Sequence, residues 1–174
     1  MLAVALRAGL GIEDLEDLEL AYAPPYGSAK DPVNMAGFIG TNLLRGDVNL
    51  WYAENWPDLP AGAVLLDVRS PEENADWAIP GSTLIPLTEL RARLSEIPPG
   101  VPVWTYCRSG FRSYLAQRLL AQSGWPDAAT LSGGELTFRA VYPDGSAGGP
   151  RYPVVTYAED ALATRQREAQ RSLR

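Results

Sequence analysis

The feature that most constrains the fold of this 174-residue chain is a regular alternation of short apolar segments and helical patterns after Asp47. Five segments have the composition of strands, at 48–52, 63–68, 82–87, 101–106 and 127–132. Helical patterns lie between them, at 71–77, 88–95, 110–123 and 134–140. Such alternation is typical of a mostly parallel sheet with helices on both faces. We therefore predict an α/β fold with a central five-stranded sheet.

Residues 1–46 do not follow this alternation and are predicted to form a helical appendage. Asp31 is a good N-cap, and Pro32 suits the first helical position. Apolar and small side chains then recur at helical spacing, at Val33, Ala36, Gly37, Gly40, Leu43 and Leu44. Arg45 and Gly46 are typical of a helix end. The small residues predict that this helix packs closely against another element.

The chain is thus predicted to have three regions: an appendage (1–46), an α/β domain (47–142), and a linker with a tail helix (143–174). The sequence "PDGSAGGPRYP" at 143–153 has the composition of a loop. The tail that follows begins with acidic residues and ends with arginines, which suits the dipole of a solvated helix.

The composition excludes several functions. A net charge of −6 leaves no basic surplus for nucleic acid. The absence of histidine and the single cysteine argue against Cys–His or Ser–His catalysis, an internal disulfide and a zinc site, so no metal is expected. No apolar run approaches the ~20 residues of a membrane helix, and "MLAVALRAGLG" lacks a signal-peptide cleavage pattern. A cytoplasmic location is expected.

The single cysteine, Cys107, lies in "VPVWTYCRSGFRSYLAQ" (101–117), between a predicted strand and a predicted helix. In parallel sheets, ligands bind beyond the carboxyl ends of strands. Backbone N–H groups of the loop and the first helical turn should converge on the cysteine sulfur, together with the helix dipole and the charges of Arg108 and Arg112. These surroundings should lower the thiol pKa into the ~3.5–7.5 range of activated cysteines.

The alternatives for Cys107 are an inert buried cysteine and a phosphatase nucleophile. A buried inert cysteine would not require two arginines and a glycine beside it. Phosphotyrosine-type phosphatases need an arginine at the sixth position after the cysteine, where this chain has Ser113, whereas Arg112 is at the fifth. The tighter loop favours sulfur transfer over dephosphorylation or arsenate reduction.

Three ordered motifs make the chain resemble the rhodanese family. They are "VLLDVRSPEENADWAIPGSTLIPLTEL" (64–90), "YCRSGFRS" (106–113) and "LSGGELTF" (131–138), within about residues 48–142. Trp77 and Ala78 occupy the place where many rhodaneses carry a Gly-His pair.

The resemblance implies a rhodanese-like fold and a ping-pong sulfur transfer through a Cys107 persulfide. The donor would be thiosulfate or a low-molecular-weight persulfide, and the acceptor cyanide or an external thiol. The loop would hold the anionic persulfide through Arg108, Ser109, Gly110, Phe111, Arg112 and Ser113. Arg108 and Arg112 would contact the donor anion, while Asp67 and Arg69 would brace the carboxyl edge of the sheet.

The appendage, through "LEDLELAYAPPYGSAKDPVNMAGFIGTNLLRG", resembles the end of the dimerisation domain of coenzyme A-disulfide reductases and related flavoprotein NADH oxidases. This implies a homodimer or a flavoprotein partner, with Tyr22 and Tyr26 in a segment that borders a coenzyme A site in the reductases. No glycine-rich FAD or NAD fingerprint occurs in the sequence, so no cofactor is expected. The alternative function is a non-catalytic docking or regulatory module of such a reductase.

Overall fold

The computed structural model describes residues 1–27, 29–143 and 145. Its centre is one five-stranded sheet in which every pair of neighbouring strands is parallel, in the order β1-β5-β4-β2-β3. The strands are β1 (Asn49–Trp51), β2 (Val64–Asp67), β3 (Thr83–Leu84), β4 (Val103–Tyr106) and β5 (Ala129–Leu131). All five predicted strands are confirmed, and so is the α/β class.

Six α-helices and three short 3-10 helices accompany the sheet in the described residues. The α-helices are α1 (Leu2–Ala8), α2 (Pro32–Leu44), α3 (Pro71–Asp76), α4 (Leu87–Leu90), α5 (Phe111–Gln122) and α6 (Gly134–Val141). The 3-10 helices are Glu13–Leu15, Ala53–Asp58 and Leu94–Glu96. None of these helices has the length and apolar character needed to cross a bilayer.

Two details of the helix prediction were wrong. The single helix predicted over 88–95 is divided into α4 and a 3-10 turn, because the backbone leaves α geometry at Arg93 (φ −110°, ψ 14°). Helix α1 was not predicted; of its apolar side chains only Ala5 is buried, so it has little amphipathic pattern. The predicted linker and tail helix (143–174) lie outside the described residues, except for positions 143 and 145.

The two faces of the sheet carry separate cores, because successive side chains of a strand point to opposite faces. Leu66 and Val103 pack on one face with Leu120 of α5 and Leu90 of α4. On the other face an aromatic core is formed by Trp51, Tyr106, Phe138 and Tyr142, with Leu65, Ile79 and Leu131. Helices therefore cover both faces, as a parallel sheet requires.

Strand register brings the carboxyl ends of three strands together at one edge of the sheet. Asp67, the last residue of β2, is in register with Tyr106, the last residue of β4. On the other side of β4, Thr105 is in register with Thr130 of β5. Residues that follow β2, β4 and β5 are therefore neighbours, and the loop after β4 lies in the middle of them.

Helix α2 of the appendage begins and ends as predicted. The Asp31 carboxylate accepts the Val33 N–H at 2.9 Å, and Arg45 and Gly46 follow the last helical turn. The predicted close packing is also confirmed, since a Cβ atom on Gly37 would lie 2.6 Å from the Glu16 backbone nitrogen. Buried Asn34 fixes the same contact through a 3.0 Å hydrogen bond from its amide to the Leu15 carbonyl.

Gly37→Ala is expected to lower the free energy of unfolding by about 1–3 kcal/mol, because the added methyl group overpacks the contact with Glu16. In an open helix, the same change would raise stability by about 1 kcal/mol. Chemical denaturation of wild type and variant measures the difference, with Ala36→Gly as the propensity control in the same helix. A stabilised Gly37→Ala variant would contradict this packing.

Candidate active site

Cys107 directly follows β4 and is almost fully buried, with an exposed fraction of 1%. Helix α5 begins four residues later at Phe111, with Gly110 at its N-cap position. Gly110 has a φ of 111°, in the left-handed region where a side chain would be strained. This conformation turns the loop back over the cysteine, so the sulfur faces the first turn of α5.

The Cys107 sulfur accepts hydrogen bonds from the backbone and from a side chain of this segment. The backbone N–H of Gly110 donates to Sγ at 3.2 Å, and the hydroxyl of Ser113 lies 3.5 Å from Sγ. The Ser113 hydroxyl is also 3.0 Å from the Gly110 carbonyl and accepts a 2.8 Å hydrogen bond from Thr130. Because Thr130 already donates to it, Ser113 has its own hydrogen free for either the carbonyl or the sulfur.

These contacts change the acidity of the thiol. Burial opposes ionisation, but hydrogen bonds from the Ser113 hydroxyl and from the backbone amides of Ser113, Gly110 and Ser109 outweigh it and lower the pKa of Cys107. The loop thus favours a thiolate, which is the nucleophilic form of cysteine. It does so in a chain with no histidine to act as a base.

The start of α6 is hydrogen-bonded to the beginning of the cysteine loop. The N–H of Glu135 donates to the Cys107 carbonyl at 2.8 Å, and the N–H of Leu136 donates to the Arg108 carbonyl at 3.1 Å. Gly134 approaches so closely that a Cβ atom there would lie 2.6 Å from the Cys107 carbonyl oxygen. The glycines of "LSGGELTF" therefore allow one helix terminus to fix the loop that carries the cysteine.

The two loop arginines have different surroundings. Arg112 forms a two-pronged ion pair with Glu73 of α3, with N–O distances of 2.6 and 2.7 Å. The hydrogen bond from Arg112 lowers the pKa of Glu73 to about 2. Arg108 is exposed and forms no ion pair with any described residue. Sequence reasoning did not find Glu73, whose motif Ser70-x-x-Glu73 indicates only a helix start.

Ser109 and Phe111 are exposed on the outer side of the loop. Together with Gly110 they border an apolar groove of about 580 Å³. Its opposite wall is formed by Met35, Phe38 and Ile39 of α2. The appendage therefore lies beside the cysteine loop. Tyr22 and Tyr26 line a different cavity, of about 560 Å³, which contains no residue of the loop.

Asp67 and Arg69 form a buried network at the same edge of the sheet. Arg69 donates to Asp67 at 2.7 Å and to Glu135 at 2.9 Å, and these three side chains are at most 3% exposed. The hydroxyl of Tyr106 donates to Asp67 at 2.9 Å. Burial raises the pKa of Tyr106 to about 12, so the hydroxyl remains a donor at neutral pH. The network joins β2, β4 and α6, and the bracing role of Asp67 and Arg69 remains a prediction.

Trp77 belongs to this network through its backbone and to the aromatic core through its ring. Its carbonyl accepts a 2.5 Å hydrogen bond from Arg69, and the Arg139 guanidinium lies 5.3 Å from its ring centroid. No cluster of three or more metal-ligating side chains occurs among residues 1–27, 29–143 and 145.

Fold and site together define an α/β protein with a buried cysteine of lowered thiol pKa, located between a strand end and a helix start. The chain belongs to the rhodanese-like domain family, whose family model matches residues 44–139, more than half of the chain. A sulfurtransferase of Allochromatium vinosum is 42% identical over 75 residues, which are 43% of this chain and 70% of that protein. The chain is therefore a member of a sulfurtransferase family.

Two solved structures resemble a larger part of the chain. The reduced CoADR-RHD of Bacillus anthracis is 41% identical to this chain, with a TM-score of 0.78. The alignment covers 82% of this chain and 26% of the CoADR-RHD chain. An NAD-dependent persulfide reductase from A. fulgidus is 36% identical to this chain, with a TM-score of 0.68. That alignment covers 79% of this chain and 24% of the reductase chain. Residues 47–174 alone cannot supply this coverage, so both alignments include part of the appendage. The chain spans about a quarter of each structure.

Ser113→Ala is expected to raise the thiol pKa, because it removes a donor to the sulfur anion. The pH dependence of alkylation by iodoacetamide measures this, and the rise in rate should move to higher pH. Ser123→Ala, at the opposite end of α5, is the matched control and should leave the profile unchanged. Identical profiles for Ser113→Ala and wild type would show that the hydroxyl does not stabilise the thiolate.

Asp67→Asn is expected to lower the free energy of unfolding by about 3 kcal/mol, because it breaks a buried ion pair and leaves the Arg69 charge undercompensated. Urea denaturation measures the loss. Glu89→Gln removes a carboxylate from an exposed ion pair with Arg93 and should cost much less, because solvent screens that pair. Equal small losses for the two variants would contradict the bracing role.

Proposed function

We propose that this chain is a rhodanese-type sulfurtransferase that carries sulfur as a persulfide on Cys107. The observation that supports this proposal is the position of the Cys107 sulfur at the end of β4, facing the Gly110 N–H and the Ser113 hydroxyl. Donors fixed in this way stabilise a thiolate before the reaction and an anionic persulfide after it, without reorganisation. A cytoplasmic location is part of the proposal, since a reducing compartment keeps the thiol free.

The reaction consists of two displacements at sulfur. In the first, the Cys107 thiolate attacks the outer sulfur of thiosulfate or a low-molecular-weight persulfide, and the donor S–S bond breaks with its electron pair leaving on sulfite or a thiolate. In the second, cyanide or an acceptor thiolate attacks the outer sulfur of the persulfide, and Cys107 leaves as a thiolate. Neither step transfers electrons to an external carrier, so the proposed reaction requires no cofactor.

The proposal assigns roles to the other loop residues. The amides of Ser109, Gly110 and Ser113 hold the sulfur anion, as they lower the thiol pKa. Arg108, which is exposed in the loop before α5, attracts the anionic donor. The chain has only one cysteine, so the thiol that removes the sulfur belongs to another molecule.

Brief incubation with thiosulfate is expected to raise the intact mass of the protein by one sulfur atom, and cyanide should remove it. Cys107→Ser should gain nothing, since a hydroxyl is not a nucleophile under these conditions. Intact-protein mass spectrometry before and after cyanide measures both. A Cys107→Ser variant that still takes up sulfur would contradict the proposal. So would a wild type that takes up none from thiosulfate, glutathione persulfide or coenzyme A persulfide.

The second candidate is a docking or regulatory module for a flavin-dependent reductase. It is favoured by the two solved structures, in which the aligned part is only about a quarter of the chain and includes part of the appendage. The test is to titrate the full chain into a purified flavoprotein reductase and to measure binding by the change in flavin fluorescence. Binding without any sulfur uptake at Cys107 would put this candidate first.

A further inference from the structure

Glu73 compensates the charge of Arg112, one of the two loop arginines. We propose that Glu73 thereby makes the site discriminate between sulfur donors by their charge. The inference rests on the sulfurtransferase function proposed above and specifies its substrate class. The preferred donors are those with no more than one negative charge around the transferred sulfur. Thiosulfate, with two charges, is disfavoured.

The first argument is the geometry of the ion pair. Both terminal nitrogens of Arg112 are bound to Glu73, Nη1 to Oε2 at 2.6 Å and Nη2 to Oε1 at 2.7 Å. This two-pronged arrangement is the strongest geometry for an arginine and a carboxylate. A donor anion that made the same two-pronged contact with these nitrogens would have to displace Glu73.

The second argument is that Glu73 cannot easily move away. Its Oε2 also accepts the Ser70 N–H at 3.1 Å, while the Ser70 hydroxyl accepts the Glu73 N–H at 3.3 Å. This reciprocal capping box fixes the side chain at the start of α3. The Glu73 carboxylate is therefore a negative charge held in a fixed position beside Arg112.

The third argument connects this charge to the reacting sulfur. Glu73 and then the Cys107 sulfur both raise the pKa of Arg112, so the guanidinium is within electrostatic reach of each. Cys107 as a thiolate and Glu73 together outweigh Arg112, which leaves exposed Arg108 to attract the donor. A fixed carboxylate repels a divalent anion twice as strongly as a monovalent anion at the same distance.

Glu73→Gln is the test, because glutamine can keep the capping box but removes the charge. The two donors are thiosulfate and methanethiosulfonate, in which a methyl group replaces one charged oxygen. We expect kcat/KM to rise about fivefold for thiosulfate and about twofold for methanethiosulfonate, with cyanide as acceptor. The measured quantity is the ratio of the two constants, in which any change in thiolate population cancels.

Glu72→Gln is the matched control, since it makes the same charge change one residue earlier without contacting Arg112. Its donor ratio should equal that of wild type. An unchanged ratio in Glu73→Gln, or an equal rise in Glu72→Gln, would overturn the inference while leaving sulfur transfer intact. If wild type transfers sulfur from neither donor, the proposed function fails instead.

Arg112→Gln gives a second test if Glu73→Gln does not fold. It leaves Glu73 uncompensated, so kcat/KM should fall several-fold more for thiosulfate than for methanethiosulfonate. Equal falls for the two donors would contradict the proposal.

Discussion

The structure depends on stabilising a sulfur anion in a place that water hardly reaches. Burial alone would keep the Cys107 thiol neutral, so every charge-stabilising contact must come from the protein. The loop amides, the Ser113 hydroxyl and the start of α5 provide these contacts, and each requires a fixed position. The left-handed backbone at Gly110, the Thr130 hydroxyl behind Ser113 and the α6 terminus against the Cys107 carbonyl meet this requirement.

Charge around the loop is arranged in two layers. Deep in the sheet edge, Asp67, Arg69 and Glu135 form a network whose three side chains are almost inaccessible to solvent. Nearer the surface, Glu73 and Arg112 form a pair that solvent partly reaches, and Arg108 is exposed. The buried layer joins β2, β4 and α6, whereas the outer layer is the one to which we assign the selection of anionic donors. The two layers have separate functions although both are built from arginine and carboxylate.

Much of this could be predicted from sequence because the relevant signals are local. The strand segments, the Asp31 N-cap, the helix after Gly110 and the position of Cys107 each depend on a few neighbouring residues. What the sequence did not indicate depends on contacts between distant elements. Glu73 meets Arg112 across 39 positions, and Arg69 meets Glu135 across 66. Thr130 reaches Ser113 only because β5 lies next to β4. These pairings follow from strand order and register, which no local pattern specifies.

The groove between α2 and the cysteine loop bears on how this domain can be recombined with others. Its two walls come from regions that the sequence pattern separates at residue 46, yet Met35 and Ile39 lie opposite Gly110 and Phe111. A rhodanese-like domain cut at that boundary would retain all five strands but expose a different surface beside Cys107. The appendage is therefore part of the surroundings of the cysteine loop. Exchanging it between proteins would change the surroundings of Cys107, although the residues of the loop would stay the same.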